Sequence, residues 1–119
     1  MYRIYFYEDW DGNSPIYEWL TELSRGKSKD MRINARKVND YITLLQYRGL
    51  AAGEPFIKHL DHEIWELRPL RNRILFAAWK GDGFILLHQF FKRTQKTPQK
   101  ELEKAIKELN DIRQREGTL

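Results

Sequence analysis

Basic side chains cluster towards the C-terminal end of the sequence, in a pattern that could hold a polyanion. Lys92, Arg93, Lys96 and Lys100 fall within nine positions, just before a predicted helix. Lysine and arginine at this density can neutralise phosphate groups, as in nucleic-acid binding. The other interpretation is a solvated edge that prevents a sheet from pairing with other chains.

The charge distribution bears on this choice. Residues 57–100 carry nine Lys/Arg and four Asp/Glu, a net charge of +5, whereas residues 1–56 are neutral and residues 101–119 carry −1. The segment 57–100 is therefore expected to hold the excess positive charge. A basic surface confined to one segment suggests a phosphate-bearing or acidic partner.

The composition predicts one folded domain over residues 1–119. With 41% apolar residues, a chain of this length can bury a core without a disulfide or metal. It contains no cysteine, which excludes thiolate metal sites and favours a reducing compartment. The longest apolar run is far shorter than the ~20 residues of a membrane span, so a cytoplasmic protein without membrane association is expected.

Three helices and four strands are predicted from residue spacing and turn signals. The helix signals are Ser14 with Pro15 and Gly26 for the first helix, Ser28 and Gly49 for the second, and Thr97 with Pro98 for the third. The predicted strands cover residues 2–7, 63–69, 72–79 and 84–91. The order β-α-α-β-β-β-α indicates an α+β fold with an antiparallel sheet covered by helices on one face.

A tight turn in residues 80–83, Lys-Gly-Asp-Gly, predicts the pairing of the last two strands. If Gly81 and Asp82 form the loop, Arg73 lies opposite Phe90. A shift of one residue would turn Arg73 to the other face, so the predicted site depends on this register.

With this register, one face of the sheet forms a basic floor that contains aromatic rings. Its predicted members are Arg68, Arg73, His88, Phe90 and Lys92. Cations of this kind neutralise phosphates, and rings stack on unpaired bases for ~1–3 kcal/mol each. Structural roles are the alternatives: a solvated edge for Arg73, an ion pair with Glu66 for Arg68, and core packing for the two rings.

A metal site is not expected. His59 and His62 form an H-x-x-H pair in a polar turn, but no cysteine and no third fixed ligand accompany them. The sequence also lacks a Walker loop, a dinucleotide fingerprint and a Ser-His-Asp arrangement. No cofactor is predicted.

Four motifs follow one another in the second half of the chain. They are Glu66-Leu67-Arg68, Arg73-Ile74-Leu75-Phe76, Leu86 through Thr94 (LLHQFFKRT), and Gln95 through Ala105 (QKTPQKELEKA). Residues 65–105 thereby resemble the C-terminal half of RelE/ParE-superfamily toxins, most closely the HigB-like branch, which includes many phage-derived proteins.

The resemblance implies a RelE-like fold and a bacterial type II toxin–antitoxin module. Such a toxin is neutralised by a co-encoded antitoxin, often one with a helix-turn-helix DNA-binding domain, and oligomers can form through that complex. Relatives of the RelE and HigB type cleave mRNA in the ribosomal A site without a metal. In that reaction the ribose 2′-OH attacks the adjacent phosphate. An acidic antitoxin segment covering the +5 region is also expected.

The resemblance further implies roles for individual residues. Arg73 matches the arginine at the start of the third strand and would stabilise phosphate charge. Lys92 and Arg93 match the basic pair that ends the fourth strand, and one of them would contact the scissile phosphate and could transfer a proton. The RNA-binding residues expected around them are Arg68, His88, Phe90 and Lys96.

The sequence also departs from RelE-type enzymes. Those enzymes carry lysines on the strand before the E-L-R position and a tyrosine near the C-terminus, whereas here that strand is expected to be HEIWEL and no tyrosine follows Tyr47. The general base is therefore open between His88, Lys92 and a lysine of lowered pKa. Two other functions share the expected fold or surface: a ParE-like inhibitor of DNA gyrase, and a non-catalytic nucleic-acid or protein-binding module.

Overall fold

The computed structural model describes residues 1–117 as a five-stranded sheet with three helices. The strands are β1 (Arg3–Phe6), β2 (Ile57–Asp61), β3 (Ile64–Leu67), β4 (Asn72–Trp79) and β5 (Gly83–Phe91). The helices are α1 (Pro15–Ser24), α2 (Lys29–Arg48) and α3 (Gln99–Glu116). The predicted α+β class is confirmed, while the last two residues of the expected domain lie outside the described range.

The ends of the first two helices follow the prediction. The Ser14 hydroxyl accepts a hydrogen bond from the Tyr17 amide at 3.4 Å, and the Ser28 hydroxyl accepts one from the Met31 amide at 3.1 Å. Gly49 ends α2 with a φ of +57°. Within residues 1–117, no helix is long and apolar enough to cross a membrane.

The sheet has the order β1-β5-β4-β3-β2 and is mixed, which corrects the expectation of a purely antiparallel sheet. β1 runs parallel to β5, with Arg3 opposite Gly83. A Cβ atom at position 83 would overlap the carbonyl oxygen of Arg3, so the glycine permits this close pairing.

β2 is a strand that the sequence pattern did not predict. It lies at the sheet edge, and its pairing with β3 is interrupted by a register shift between His59 and Asp61. Because Lys58 and His59 are both exposed, the strand lacks the regular apolar alternation on which strand prediction depends.

The hairpin between β4 and β5 differs from the prediction at its loop and agrees with it at the site. Trp79 faces Gly83, so the loop has three residues, Lys80 to Asp82, instead of the predicted two. A bulge at Leu87 then adds one residue to β5. The two differences cancel, and Arg73 lies opposite Phe90 as predicted.

Helices cover both faces of the sheet, not one as predicted. On one face α3 packs through Leu102, Ala105 and Leu109 in a core that includes Leu75 and Phe90. On the other face, α1 and α2 pack in a second core that includes Ile74 and Phe76. The continuous apolar runs in β4 and β5 are typical of strands that are buried on both sides.

Candidate functional site

A cleft of about 250 Å³ opens on the α3 face of the sheet, between β2, the ends of β3 to β5, and the loop 92–98 that leads into α3. The cations that line it are Lys58, Arg68, Arg73, Lys92 and Lys96. Four residues predicted for the site, Arg68, Arg73, Lys92 and Lys96, therefore lie around one cavity.

Arg73 forms the floor of the cleft and is only 6% exposed. Its Nη1 donates to the carbonyl oxygens of Leu70 and Asn72, each at 2.8 Å, and its Nε lies 3.8 Å from Glu66 Oε1. Burial lowers the pKa of Arg73, and the neighbouring Glu66 carboxylate opposes that effect. An arginine nevertheless remains protonated in a protein, so the site holds a fixed cation.

Glu66 is the buried carboxylate that joins the parts of this site, with 2% of its surface exposed. Its Oε1 lies 3.5 Å from Nε of Arg68 and 3.8 Å from Nε of Arg73, and its Oε2 accepts the hydroxyl of Thr97. Arg68 also lies 3.9 Å from the exposed Glu54. One carboxylate thus connects β3, β4 and the loop 92–98.

The role of Thr97 corrects the sequence prediction. It was expected to cap the third helix, but α3 begins at Gln99 with Pro98 at the cap position and no side-chain cap. The Thr97 hydroxyl donates instead to Glu66, and hydrogen bonds to a carboxylate are stronger than those between neutral groups. Thr97 therefore ties the loop 92–98 to the floor of the cleft.

The loop places its basic residues at different depths. Lys92 is half-buried and anchored by its backbone amide, which donates to the Arg71 carbonyl at 2.7 Å. Lys96 is exposed at the rim, and its carbonyl accepts the Thr94 hydroxyl at 2.7 Å. Arg93 is outside this cleft and lines an adjoining groove of about 440 Å³, which also includes Arg73 and Lys92.

Two predicted RNA-binding residues are placed differently from the expectation. His88 lies under α3, with Nε2 2.8 Å from Glu101 Oε1, and lines a separate small pocket beside Lys104. Burial lowers the pKa of His88, and the hydrogen bond to Glu101 acts against this. Phe90 does line the cleft, but it is only 9% exposed and belongs to the core, so little of its ring is open for base stacking.

Two residues of the unpredicted strand β2, Lys58 and His59, also line the cleft. His59 packs against Trp65 with the rings tilted by 48° and their centroids 4.8 Å apart, and its Nε2 lies 2.9 Å from the carbonyl oxygen of His62. Because a carbonyl can only accept, Nε2 is assigned the proton and Nδ1 keeps a free lone pair. The sequence was expected to lack the lysines that RelE-type enzymes carry on the strand before the E-L-R position, but the strand before β3 is β2, which carries Lys58.

The site combines fixed positive charge with a group that can exchange a proton. Buried or loop-anchored cations can bind a phosphodiester and stabilise negative charge that develops on it. Imidazole is the side chain that most readily takes up and releases a proton near neutral pH. This combination is suited to a phosphate-bearing ligand and to phosphoryl chemistry.

The fold and the site define a small α+β protein with a basic cleft on one face of a mixed sheet. A protein-family model, described as phage-derived protein Gp49-like (DUF891), matches residues 18–110. The chain therefore belongs to this phage-derived Gp49-like family, which is of the RelE toxin type. No curated protein matches the sequence. Membership in a toxin family is consistent with a toxin of a toxin–antitoxin system and implies an antitoxin partner.

Proposed function

We propose that this protein is the toxin of a type II toxin–antitoxin system of the HigB-like kind, and that it cleaves mRNA on the ribosome. The observation that best supports this proposal is the buried Arg73–Glu66 pair at the floor of a cleft that carries four further cations. A cation that is already held in position stabilises the negative charge that develops in the transition state more than it stabilises the ground state, because it need not rearrange during the reaction.

In the proposed reaction, the ribose 2′-OH attacks the adjacent phosphate and the 5′ oxygen leaves. Arg73 stabilises the extra negative charge on the phosphorane, and Arg68 and Lys58 position the backbone. Lys92 contacts the scissile phosphate and protonates the leaving oxygen. Arg93 and Lys96 bind the phosphates that flank the cut.

His59 is the group we propose as the general base. Its Nδ1 is free to accept the proton of the 2′-OH, since Nε2 is held by the His62 carbonyl. His88, one of the candidates from sequence beside Lys92 and a lysine of lowered pKa, is engaged with Glu101 and lies in another pocket. Both oxygens of Glu66 already have partners, so Glu66 acts by positioning the arginines.

The proposed partner that controls this activity is an antitoxin with a helix-turn-helix domain. An acidic segment of that antitoxin would lie along the cleft and neutralise its cations. The toxin would then act only when the antitoxin is lost.

The test is a cell-free translation reaction to which the purified protein is added, with cut sites mapped on the mRNA. Cleavage within translated codons is expected, and Arg73→Ala and His59→Ala should each lower its rate about 100-fold or more. His88→Gln and the exposed control Arg48→Ala should cleave like the wild type. Intact mRNA together with inhibited gyrase supercoiling would favour the ParE-like function, and silence in both assays would favour a binding module.

A further inference from the structure

A second basic surface lies on α2, away from the cleft. Residues 25–37 carry six Lys/Arg and one Asp, a net charge of +5, equal to that of the segment 57–100. Acidic residues elsewhere in residues 1–56 balance this charge, so residues 1–56 as a whole are neutral and the basic segment is not visible in their net charge. Four residues, here called the α2 basic face, carry most of it: Lys29, Arg32, Arg36 and Lys37.

The α2 basic face is a solvent-exposed surface. All four side chains are exposed, and they border a groove of about 460 Å³ together with Ile33, which is 44% exposed, and the exposed carboxylate of Asp40. Lys29, Arg32 and Arg36 follow one another at helical spacing on the side opposite Val38 and Leu45, the residues of α2 that are buried. The face spans about 12 Å along the helix axis at 1.5 Å per residue.

Apart from a hydrogen bond that Arg32 Nη1 donates to the Lys27 carbonyl oxygen at 2.8 Å, the stability of the helix does not account for these cations. Lys29 and Arg32 stand in the first turn, where the helix dipole disfavours positive charge. Arg32 and Arg36 are like charges four residues apart, which is destabilising. In the part of the chain that the structure describes, none of the four forms an ion pair. An anionic partner would relieve each of these unfavourable terms.

We propose that the α2 basic face binds the phosphate backbone of base-paired RNA. The residues that line its groove include no aromatic side chain, so the face offers no ring on which an unpaired base could stack. Regularly spaced cations on a rigid helix instead fit a duplex, which presents its phosphates at fixed positions and keeps its bases inside. This surface goes beyond the proposed cleavage site and does not depend on it.

The test measures binding of a fluorescent RNA duplex of about 16 base pairs as a function of salt concentration. Removing three cations in Arg32→Gln/Arg36→Gln/Lys37→Gln should make the slope of log K against log salt shallower by about 2 to 3 and weaken binding at least tenfold at 0.1 M salt. The matched control Arg3→Gln/Arg48→Gln/Lys107→Gln removes the same charge, also from two arginines and one lysine, at exposed positions. It should bind within about threefold of the wild type.

Two further variants separate duplex binding at this surface from a loss of folding and from binding at the cleft. Arg32→Lys/Arg36→Lys should keep most of the affinity, because it keeps the charge, and this guards against a folding defect in the glutamine variant. Lys92→Gln/Lys96→Gln, in the cleft, should weaken duplex binding much less than the α2 triple variant does, whether or not the protein cleaves mRNA. The duplex result can therefore stand even if the cleavage proposal fails.

Three outcomes would overturn the inference. The first is that the wild type fails to bind the duplex. The second is that the two triple variants lose affinity equally, which would mean that binding depends on net charge and not on the position of the cations. Polyglutamate could instead bind at the α2 basic face more tightly than the duplex does. That last result would assign the face to an acidic protein partner.

Discussion

Replacing Glu66 by glutamine tests whether one buried carboxylate holds the cleft together. Glutamine has nearly the same size, and its amide oxygen can still accept the Thr97 hydroxyl. The substitution therefore removes mainly the negative charge between Arg68 and Arg73. Both arginines are then left without their shared counter-ion, and Arg73 stays buried.

The expected cost follows from the geometry. Removing one partner of a buried ion pair costs about 3–5 kcal/mol. Here the nitrogen–oxygen distances are long, 3.5 and 3.8 Å, and the Arg68 side chain is 24% exposed. Arg73 also keeps its two carbonyl acceptors. We therefore expect Glu66→Gln to lower the free energy of unfolding by about 2–3 kcal/mol, at or below the lower end of that range.

Urea unfolding followed by tryptophan fluorescence measures this loss, with Glu54→Gln as the matched control. Glu54 is exposed and 3.9 Å from Arg68, so the same chemical change there should stay within about 0.5 kcal/mol of the wild type. In an Arg73→Gln background, Glu66→Gln should cost at least about 1 kcal/mol less than in the wild type. A Glu66→Gln loss no larger than that of Glu54→Gln, or the absence of coupling to Arg73, would refute this account of the site.

Three further predictions concern the rest of the fold. Burial raises the pKa of Glu108 to about 7, so above that pH the folded protein holds a charged carboxylate that burial disfavours. Glu108→Gln should therefore stabilise the protein by about 1–2 kcal/mol at pH 8 and give no gain below about pH 4; an equal gain at both pH values in urea unfolding would contradict this. Gly83→Ala should lower the free energy of unfolding by more than about 2 kcal/mol in the same assay, since the new Cβ meets the β1 backbone. Gly81→Ala should cost only about 1 kcal/mol, because its Cβ has open space and only the positive φ of +75° is unfavourable. Because burial lowers the pKa of His88, the unfolded chain takes up a proton at this residue before the folded protein does as pH falls below about 6.5, and stability drops. His88→Gln should reduce the fall in melting temperature between pH 7 and pH 5, and an unchanged fall would show that His88 does not contribute.

The cationic floor could be predicted from sequence because strand alternation is a strong constraint. Arg73 and Lys92 reach one face by the period of two along β4 and β5, and Glu66 and Arg68 join them from β3. The predicted length of the β4–β5 loop was wrong by one residue, but the bulge at Leu87 restores the predicted pairing of Arg73 with Phe90. The agreement at Arg73 therefore depends on a compensation that the turn residues alone did not indicate.

The rest of the site could not be predicted because it depends on contacts between distant segments. β2 carries Lys58 and His59, but its register shift and its edge position weaken the alternation that would have identified it. The Thr-Pro pair before α3 is a normal helix-start signal. Only the proximity of Glu66, 31 residues away, turns the Thr97 hydroxyl towards the cleft.

The two basic surfaces differ in a way that bears on their roles. A carboxylate placed among cations reduces the attraction for a polyanion, so a surface selected only for binding would gain nothing from Glu66. What Glu66 provides is position, since it fixes Arg73 within a buried network before a ligand arrives, and pre-positioning is what stabilises a transition state. The α2 basic face differs, because its cations are exposed and form no ion pair in residues 1–117, and the carboxylate that shares their groove, Asp40, is itself exposed. The contrast favours chemistry at the cleft and simple electrostatic docking on α2.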